Sequence, residues 1–475
     1  MQGSKAVGLW LAAVAGSALL FGVSTGIGPH GSLAWAAPAP ALTYALHSRS
    51  AWASATAAAL AYLIGESSLI FAYLTVVPLP ILIVSALVPA IAFAFAVFGA
   101  RLAALRLPTL VAVFSYPLLW TSWEFLLGLI SPHGSAGALG YTQTSLPHVI
   151  QIASITGVWG VSFVTALPAM ALALASKGRL AALAPAAVVL AVVLGYGEFR
   201  LRQPLGDTRE YALVALPLAA LHQDEARGRE ASLAAARAYA EAVSLVGPPR
   251  QGRPLTVVIP EKAITTFPEW EAEVRNLLAS AARRAGVTLI AGIDEHRADG
   301  VRANMAYVFG PQGEERLAYQ KHFLVPGLER EFSPGRSLGV MDDAGVAICK
   351  DMDFPPLLRG YGRAGVRLLA VPAWDFVNDA RPHADMAIMR GVENGFSLAR
   401  VAQEGLLTLS DARGRIVASG RASPDSPVWL RGELPQGEGG TVYSHLGDVF
   451  GWSVVALTAT LLLSLALAVI FHRRT

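Results

Sequence analysis

The chain has 475 residues, of which 54% are hydrophobic and 15% are charged, whereas an ordinary soluble domain has about 25% charged residues. This composition indicates a membrane protein, and the net charge of +3 gives no reason to expect nucleic-acid binding. The single cysteine, Cys349, excludes an intramolecular disulfide and a metal site of the two-cysteine type.

The first 200 residues are apolar almost throughout and contain about seven segments of membrane-spanning length. We predict spans at residues 6–26, 32–46, 51–76, 79–100, 108–130, 149–176 and 179–196, and one more at 449–471. The second segment is short and contains Pro38 and Pro40, so it is expected to be kinked or to cross incompletely. We predict that the first segment is retained rather than cleaved as a signal peptide, because further spans follow at once.

Basic residues predict the orientation, since Lys and Arg accumulate on the cytoplasmic side of membrane proteins. With seven crossings before residue 200 and the N-terminus inside, all basic residues of this region fall on the cytoplasmic side: Lys5, Arg49, Arg101, Arg106, Lys177 and Arg179. The last span then places Arg473 and Arg474 in the cytoplasm. This topology predicts an N-terminal membrane domain at 1–199, an outward-facing domain at 200–446, and a C-terminal span with a short tail at 447–475.

Residues 200–446 have a different pattern, in which short apolar runs alternate with helix-like segments. Strands are predicted at 212–216, 255–259, 287–293, 346–349 and 368–371, and helices at 224–243 and 269–285. The turn residues at 311–313 and 411–414 predict two hairpins. This alternation predicts an α/β domain, in which helices cover a sheet.

Three polar residues follow predicted strands directly, namely Glu261, Lys321 and Cys349. Ligands of open α/β sheets bind beyond the carboxyl ends of the strands, so these side chains could form one site. Glu261 could take the proton of the Cys349 thiol, and Lys321 could stabilise an oxyanion. Taken singly, Cys349 is equally consistent with an inert buried thiol, and Glu261 and Lys321 with solvated surface charges.

The order of these motifs resembles that of the carbon–nitrogen hydrolase (nitrilase) superfamily, in the segments 260–264, 319–326 and 348–351. The run Leu324-Val325-Pro326 with Glu329 resembles the apolipoprotein N-acyltransferase branch, as does the arrangement of several membrane helices, an outward domain and one closing helix. Further similarities to that branch lie at residues 139–143, 157–163, 390, 393, 400, 411–414 and 447–448.

The resemblance implies a polytopic helical membrane domain joined to an α-β-β-α sandwich of the nitrilase type. It implies that Glu261 is the general base, Lys321 the oxyanion-stabilising cation and Cys349 the nucleophile. Glu329 matches a second acidic residue near this triad, and Asp351 and Trp374 are expected to support the substrate pocket. Neither a metal nor another cofactor is implied.

The function implied by the resemblance is acyl transfer at the periplasmic face of a bacterial inner membrane. A membrane phospholipid would acylate Cys349, and the chain would pass to the N-terminal amine of a lipid-modified cysteine on a lipoprotein. The segment Cys349–Pro355 is closer to the soluble nitrilase pattern, which favours a membrane-tethered amidase with water as acceptor. A non-enzymatic membrane scaffold is a third reading, against which the intact triad argues.

Several other residues have two interpretations. Lys350 could lower the pKa of Cys349, but it is expected to point away, because neighbours along an extended segment alternate sides. The sequence at 335–339 fits the GxSxG pattern, yet no strand precedes it, so we interpret it as a turn. Glu66 and Glu124 lie in predicted spans. A carboxylate in such a span either has a functional role or hydrogen-bonds to a neighbouring helix of the bundle.

Overall fold

The computed structural model describes residues 2–28, 30–217, 228–250 and 253–472. The chain divides into two compact units. The helical unit contains residues 1–202 and 448–475, and the sandwich unit contains residues 203–447. The domain limits predicted at 199 and 446 lie close to these divisions.

The helical unit begins with a series of helices of very different lengths. They are α1 (Gln2–Ser24), α2 (Ala39–His47), α3 (Ala51–Gly65), α4 (Ser67–Tyr73), α5 (Leu79–Arg106), α6 (Thr109–Ala112), α7 (Ser115–Ile130), α8 (Pro147–Ile150), α9 (Ala153–Thr156), α10 (Val158–Ala175) and α11 (Leu183–Arg202). Short 3₁₀ segments lie at Gly31–Trp35, Leu139–Gln143 and Leu180–Ala182, and the C-terminal helix is Val449–His472.

Among the described residues, six helices are long and apolar enough to cross a membrane. They are Lys5–Ser24, Leu79–Arg106, Thr109–Ile130, Val158–Ala175, Leu180–Arg202 and Val449–Ala468. A seventh span is obtained if α3 and α4, which are bent by 40° at Glu66, count as one. The protein is therefore a multi-pass membrane protein.

The number of long helices is smaller than the eight spans that we predicted. The predicted span at 32–46 consists of the five-residue 3₁₀ segment and the nine-residue α2, with a turn between them. Pro38 is the N-cap residue that precedes α2, and since proline lacks a backbone N–H, it does not continue the hydrogen-bonded 3₁₀ segment before it. The predicted span at 149–176 is likewise interrupted, because Gly157 adopts a φ of 67° before α10 begins.

Aromatic rings and two carboxylates, the buried Glu124 and the half-buried Glu66, contribute contacts within the helical unit. Phe93 packs edge-on against Phe21 and Trp120, with centroid distances of 5.2 and 5.8 Å. Glu124 accepts hydrogen bonds from Trp120 Nε1 at 2.9 Å and from Leu139 N at 2.8 Å, so it links α7 to the 3₁₀ segment at Leu139–Gln143. Glu66 accepts a hydrogen bond from Thr25. Both carboxylates therefore hydrogen-bond within the bundle.

The sandwich unit contains two sheets. One has the strand order β13-β1-β2-β4-β5-β6 with β3 beside β4, and the other has the order β12-β11-β10-β9-β8-β7. The strands are β1 (Thr208–Ala215), β2 (Leu255–Val258), β3 (Ile264–Thr266), β4 (Thr288–His296), β5 (Arg302–Phe309), β6 (Glu315–Gln320), β7 (Gly339–Met341), β8 (Ala344–Val346), β9 (Leu368–Trp374), β10 (Ser397–Gln403), β11 (Leu406–Ser410), β12 (Ile416–Arg421) and β13 (Val428–Pro435).

The helices of this unit are α12 (Gly228–Leu245), α13 (Glu271–Ala285), α14 (Pro355–Arg363), α15 (Ala380–Asn394) and α16 (Val442–Leu446). Helices α12 and α13 pack on the outer face of the first sheet, and α14 and α15 pack on the outer face of the second. The predicted helix at 224–243 begins within this range at Gly228, and its residues 224–227 lie outside the described residues. Both predicted hairpins are present, between β5 and β6 and between β11 and β12.

The alternation of side chains along β1 explains how the layers are held. Leu213 and Ala215 face the second sheet, whereas Ala212 and Val214 face α12 and α13. Because successive side chains of a strand point to opposite faces, a strand covered on both sides consists of consecutive apolar residues. The inner faces of the two sheets share one core. The predicted α-β-β-α sandwich is thus confirmed.

Candidate active site

Glu261 lies three residues beyond the end of β2 and is buried. Its Oε1 accepts a hydrogen bond from Lys321 Nζ at 2.7 Å and another from Asn304 Nδ2 at 2.6 Å. Asn304 lies in β5, so the segments after β2 and β6 and the strand β5 of the first sheet all contribute to this contact. The chain passes close over Gly292 of β4, where a Cβ atom would lie 2.7 Å from the Glu261 Cα.

Lys321 follows β6 directly and is completely buried. Its Nζ lies between two carboxylates, at 2.7 Å from Glu261 Oε1 and at 3.1 and 2.9 Å from the two oxygens of Glu329. Burial lowers the pKa of Lys321, but the charges of Glu261 and Glu329 outweigh it and raise the pKa above its ordinary value. Lys321 therefore remains an ammonium ion.

Glu329 completes the surroundings of this ammonium group. It also accepts hydrogen bonds from Val325 N at 2.8 Å, from Lys262 Nζ at 3.1 Å and from Asn304 Nδ2 at 2.9 Å. Burial raises the pKa of Glu329, but the two lysines and the backbone donor lower it further, so the pKa lies below its ordinary value. Glu329 is consequently ionised at neutral pH.

Cys349 begins a 3₁₀ helix, Cys349–Asp353, at the end of the β8 segment. We predicted that the strand continues to Cys349, which is wrong, since β8 ends at Val346. Cys349 adopts a φ of 40°, a left-handed conformation that non-glycine residues seldom occupy and that recurs at functional sites. Its Sγ lies 3.4 Å from the carbonyl oxygen of Trp374.

Asp351 connects the turn at Cys349 with the segment that follows Lys321. Its carboxylate accepts hydrogen bonds from Ile348 N at 2.9 Å, His322 N at 3.1 Å, Phe323 N at 2.9 Å and the Tyr319 hydroxyl at 2.8 Å. Lys321 follows a strand of the first sheet and Cys349 follows a strand of the second, and this carboxylate holds the two backbone segments together. Burial nevertheless raises the pKa of Asp351 above its ordinary value.

The surroundings of Cys349 favour its neutral form at rest. Burial and the negative charge of Glu261 raise the pKa of the thiol, while His383 and Lys321 lower it, and the net pKa lies above the ordinary value. The thiol therefore needs a base before it can act as a nucleophile.

Two other residues considered in the sequence have well-defined contacts. Trp374 donates its Nε1 hydrogen bond to Glu404 at 3.0 Å, and its ring lies 5.6 Å from Lys262 Nζ. Lys350 pairs with Asp353 at 2.8 Å, in agreement with the expectation that it does not point at the thiol. The GxSxG segment leads directly into β7, as a turn, with no helix after it.

Sequence reasoning missed three polar groups of this region, namely Asn304, Lys262 and His383. Asn304 interrupts the apolar run of β5, which is a signal for a buried polar function. Lys262 and His383 carry no such signal in the sequence, because only the folded chain brings Lys262 to Glu329 and His383 to Asp375. In the described parts of the chain, no group of three His, Cys, Asp or Glu side chains is arranged to hold a metal ion.

A buried thiol, a carboxylate and an ammonium group in one site can perform nucleophilic acyl substitution, in which the thiol becomes acylated and the ammonium group stabilises the oxyanion. Comparison with known proteins bears on the kind of acyl transfer. Residues 15–171 match the family model of the apolipoprotein N-acyltransferase N-terminal domain, and residues 220–425 match that of the carbon-nitrogen hydrolases.

Individual relatives agree with these matches. An apolipoprotein N-acyltransferase of Geobacter metallireducens is 30% identical over 383 residues, which cover 72% of each chain. One of Allorhizobium ampelinum is 27% identical over 68% of this chain and 71% of its own. An omega-amidase of Xenopus laevis is 34% identical over 123 residues, or 22% of this chain and 45% of its own. The chain belongs to the apolipoprotein N-acyltransferase family.

Proposed function

We propose that this protein transfers an acyl chain from a membrane phospholipid, through a thioester at Cys349, to the N-terminal amine of a lipid-modified cysteine on a lipoprotein. The observation that carries the proposal is the buried Lys321 between Glu261 and Glu329, beside Cys349, in a chain of this family. The relatives named above are apolipoprotein N-acyltransferases, and their name supports this choice of donor and acceptor class.

The first half of the reaction acylates Cys349. Glu261 takes the proton of the thiol, and the thiolate attacks the ester carbonyl of the phospholipid. Lys321 stabilises the negative charge on the carbonyl oxygen of the tetrahedral intermediate. When the C–O bond breaks, the leaving oxygen takes the proton from Glu261, so a lysophospholipid departs and a thioester remains.

The second half transfers the chain to nitrogen. The amine of the acceptor attacks the thioester carbonyl, and Lys321 again stabilises the oxyanion. Glu261 accepts a proton from the attacking nitrogen and returns it to the sulfur as the C–S bond breaks. An amide and the free thiol result, and no cofactor is consumed.

The remaining residues of the site position the reacting groups. Glu329 and Asn304 hold the side chains of Lys321 and Glu261, and Asp351 holds the backbone on which Lys321 and Cys349 lie. Trp374 offers its carbonyl oxygen to the thiol. A rigid arrangement of this kind reduces the reorganisation that the transition state requires.

We place the enzyme in a bacterial inner membrane with the sandwich unit facing the periplasm. Six or seven of the described helices could cross a bilayer, and the basic residues of the connecting segments favour this orientation. Donor and acceptor are both anchored in the bilayer, so a site tethered to the same membrane meets them at a high effective concentration.

Intact mass spectrometry tests the donor half of the proposal. The purified protein is incubated with phosphatidylethanolamine and compared with Cys349→Ala and Lys321→Met. The wild-type protein is expected to gain the mass of one acyl chain, which hydroxylamine releases and a diacylated lipopeptide accepts. Cys349→Ala should gain no mass. Lys321→Met should acquire the adduct at a rate at least about a hundredfold lower than that of the wild type. Adducts of equal mass on wild type and Cys349→Ala would contradict the proposal.

A membrane-tethered amidase is the second candidate, and the segment Cys349–Pro355 and the similarity to an omega-amidase favour it. In that case an acyl adduct would turn over to free fatty acid without an amine acceptor, or small amides would be hydrolysed. Release of fatty acid at the same rate with and without the lipopeptide would favour the hydrolase over the acyltransferase.

A further inference from the structure

A second lysine, Lys262, lies beside the proposed catalytic groups. It directly follows Glu261 in the chain, and its Nζ lies 3.1 Å from Glu329 Oε1, the oxygen that also accepts a hydrogen bond from Lys321. Two ammonium groups therefore contact the same carboxylate oxygen. Lys321 stabilises the oxyanion in the proposed mechanism, whereas Lys262 has no role in it.

The backbone of Lys262 adopts an unusual conformation. Its φ is 50°, in the left-handed region that non-glycine residues seldom occupy and that recurs at functional sites. Neighbouring side chains of an extended segment point to opposite sides. Here, in contrast, the side chains of Glu261 and Lys262 both reach the buried pair of Lys321 and Glu329. The left-handed turn thus brings the proposed base and a second cation to the same side of the chain.

Two aromatic rings flank the ammonium group of Lys262. Its Nζ lies 5.4 Å from the ring centroid of Phe332 and 5.6 Å from that of Trp374, and aromatic faces attract a cation at such distances. Trp374 also contacts the proposed nucleophile, since its carbonyl oxygen lies 3.4 Å from Cys349 Sγ. A single residue therefore connects the position of this ammonium group with that of the thiol.

Lys262 differs from Lys321 in its accessibility. The Lys321 side chain is 1% exposed, whereas the Lys262 side chain is 22% exposed, so a ligand can reach the second ammonium group. Lys262 also balances the charge of the cluster. Without it, the carboxylates of Glu261 and Glu329 would outnumber the one remaining ammonium group, and the resulting negative charge would repel an anionic ligand.

We propose that Lys262 binds the phosphate group of the phospholipid donor while Cys349 attacks its ester. The proposal rests on the proposed function, in which the donor is a phospholipid. In such a lipid the glycerol backbone joins the ester to a phosphate diester, which is an anion at neutral pH. A lysine ammonium group binds phosphate oxygens through charge-assisted hydrogen bonds. Lys262 is thus a specificity residue that distinguishes phospholipids from uncharged esters, and Lys321 acts on the carbonyl oxygen.

Donor selectivity tests this inference in the full-length protein. Adduct formation at Cys349 is followed by intact mass spectrometry with phosphatidylethanolamine and with a diacylglycerol of the same acyl chains, which has the ester but no phosphate. In Lys262→Met the ratio of the rate with phosphatidylethanolamine to the rate with diacylglycerol should fall by about tenfold or more. Lys262→Arg keeps a cation at this position and should retain the rate ratio of the wild type.

Lys350→Met is the matched control. Lys350 is adjacent to Cys349 in the chain, but its Nζ pairs with Asp353 at 2.8 Å and its side chain is 6% exposed. This variant also removes one positive charge near the nucleophile, yet its rate ratio should equal that of the wild type. Both rates are measured on the same preparation, so the fraction of folded protein does not affect their ratio.

The inference is overturned if Lys262→Met slows the reaction with both donors by the same factor, because a residue that only holds Glu329 in place would have that effect. Lipid retention by Cys349→Ala, measured by native mass spectrometry, tests the same contact without catalysis. Adding Lys262→Met to this variant should weaken the retention of phosphatidylethanolamine about tenfold and leave that of diacylglycerol unchanged.

Failure of the proposed function has a different signature. If the wild-type protein acquires no adduct from either lipid, the phospholipid donor is contradicted. Weaker retention of phosphatidylethanolamine after Lys262→Met would then still support phosphate binding by Lys262, and equal retention would overturn it. An adduct on the wild-type protein together with an unchanged rate ratio in Lys262→Met supports the proposed function and contradicts the role of Lys262.

Discussion

Lys321 and Glu329 carry full charges in a place that water does not reach. A single buried charge is costly, but a buried ammonium group between two carboxylates with further donors is compensated. Glu261, Glu329, Asn304 and Lys262 supply that compensation. The arrangement keeps Lys321 charged, which an oxyanion-stabilising group requires.

This cluster predicts a specific loss of stability in acid. The pKa of Glu329 lies below its ordinary value of 4.5, so its contribution is fully present above that pH and is lost as the pH falls through the lowered pKa. We expect Glu329→Gln to be less stable than wild type at pH 7, by on the order of 2 kcal/mol, and the difference to shrink toward pH 3.

Thermal unfolding in detergent, followed by tryptophan fluorescence from pH 3 to pH 7, measures this difference. Glu433→Gln serves as control, because the Glu433 side chain is 44% exposed and pairs with Arg253 at the surface. A stability difference between wild type and Glu329→Gln that is constant over this pH range would contradict the prediction.

The segment that follows β2 depends on a close approach between two strands. Pro260 and Glu261 pass directly over Gly292 of β4, where even one methyl group would collide with the Pro260 carbonyl oxygen and approach the Glu261 Cα within 2.7 Å. Glycine at this position therefore lets the chain deliver Glu261 to Lys321. This is a packing requirement rather than one of backbone conformation.

The variant Gly292→Ala is accordingly expected to displace Glu261 and to slow formation of the acyl adduct by about a hundredfold, since small displacements of reacting groups have effects of this size. Gly420→Ala is the matched control. Gly420 also lies in a strand, but the atoms nearest to its added methyl group are 3.9 and 4.0 Å away. An equal loss of adduct in both variants would indicate a general defect of the sheets instead.

The whole molecule combines a helical unit with an outward-facing enzyme unit in our proposal. With the sandwich unit outside and with α3 and α4 counted as one span, Arg49, Arg101, Arg106 and Lys177 face the cytoplasm whether or not the segment Gly31–His47 crosses the membrane. Only the side of the membrane on which Lys5 lies depends on that segment, because among the described spans α1 alone precedes it.

Cysteine labelling in spheroplasts tests this topology, in a protein whose single cysteine is replaced by alanine. A membrane-impermeant maleimide should label Ser426→Cys in the sandwich unit and should leave Lys177→Cys unlabelled until the membrane is permeabilised. Both positions are exposed, so burial does not hide either thiol. The reverse labelling pattern would mean that the sandwich unit faces the cytoplasm.

Hydrophobic patterning and motif order were sufficient to predict the α/β sandwich and the membrane helices, and they led us to propose Glu261, Lys321, Cys349 and Glu329 as site residues. Such patterns are local, since a strand covered on both faces and a helix in lipid each need their own apolar residues. The same local reasoning overestimated the number of spans. It counted the apolar residues 32–46 as one span, although a turn before Pro38 divides them into a 3₁₀ segment and the short helix α2.

What only the tertiary structure decided is which distant side chains meet. Asn304 between two carboxylates and Asp351 across the two sheets both join residues that lie 25 or more positions apart in the chain. Their contacts depend on how the strands are ordered in the first sheet and how the two sheets face each other. The sequence by itself determined the chemistry available to the protein, and the packing of the sheets determined which groups share a proton, since hydrogen bonds act only over about 3 Å.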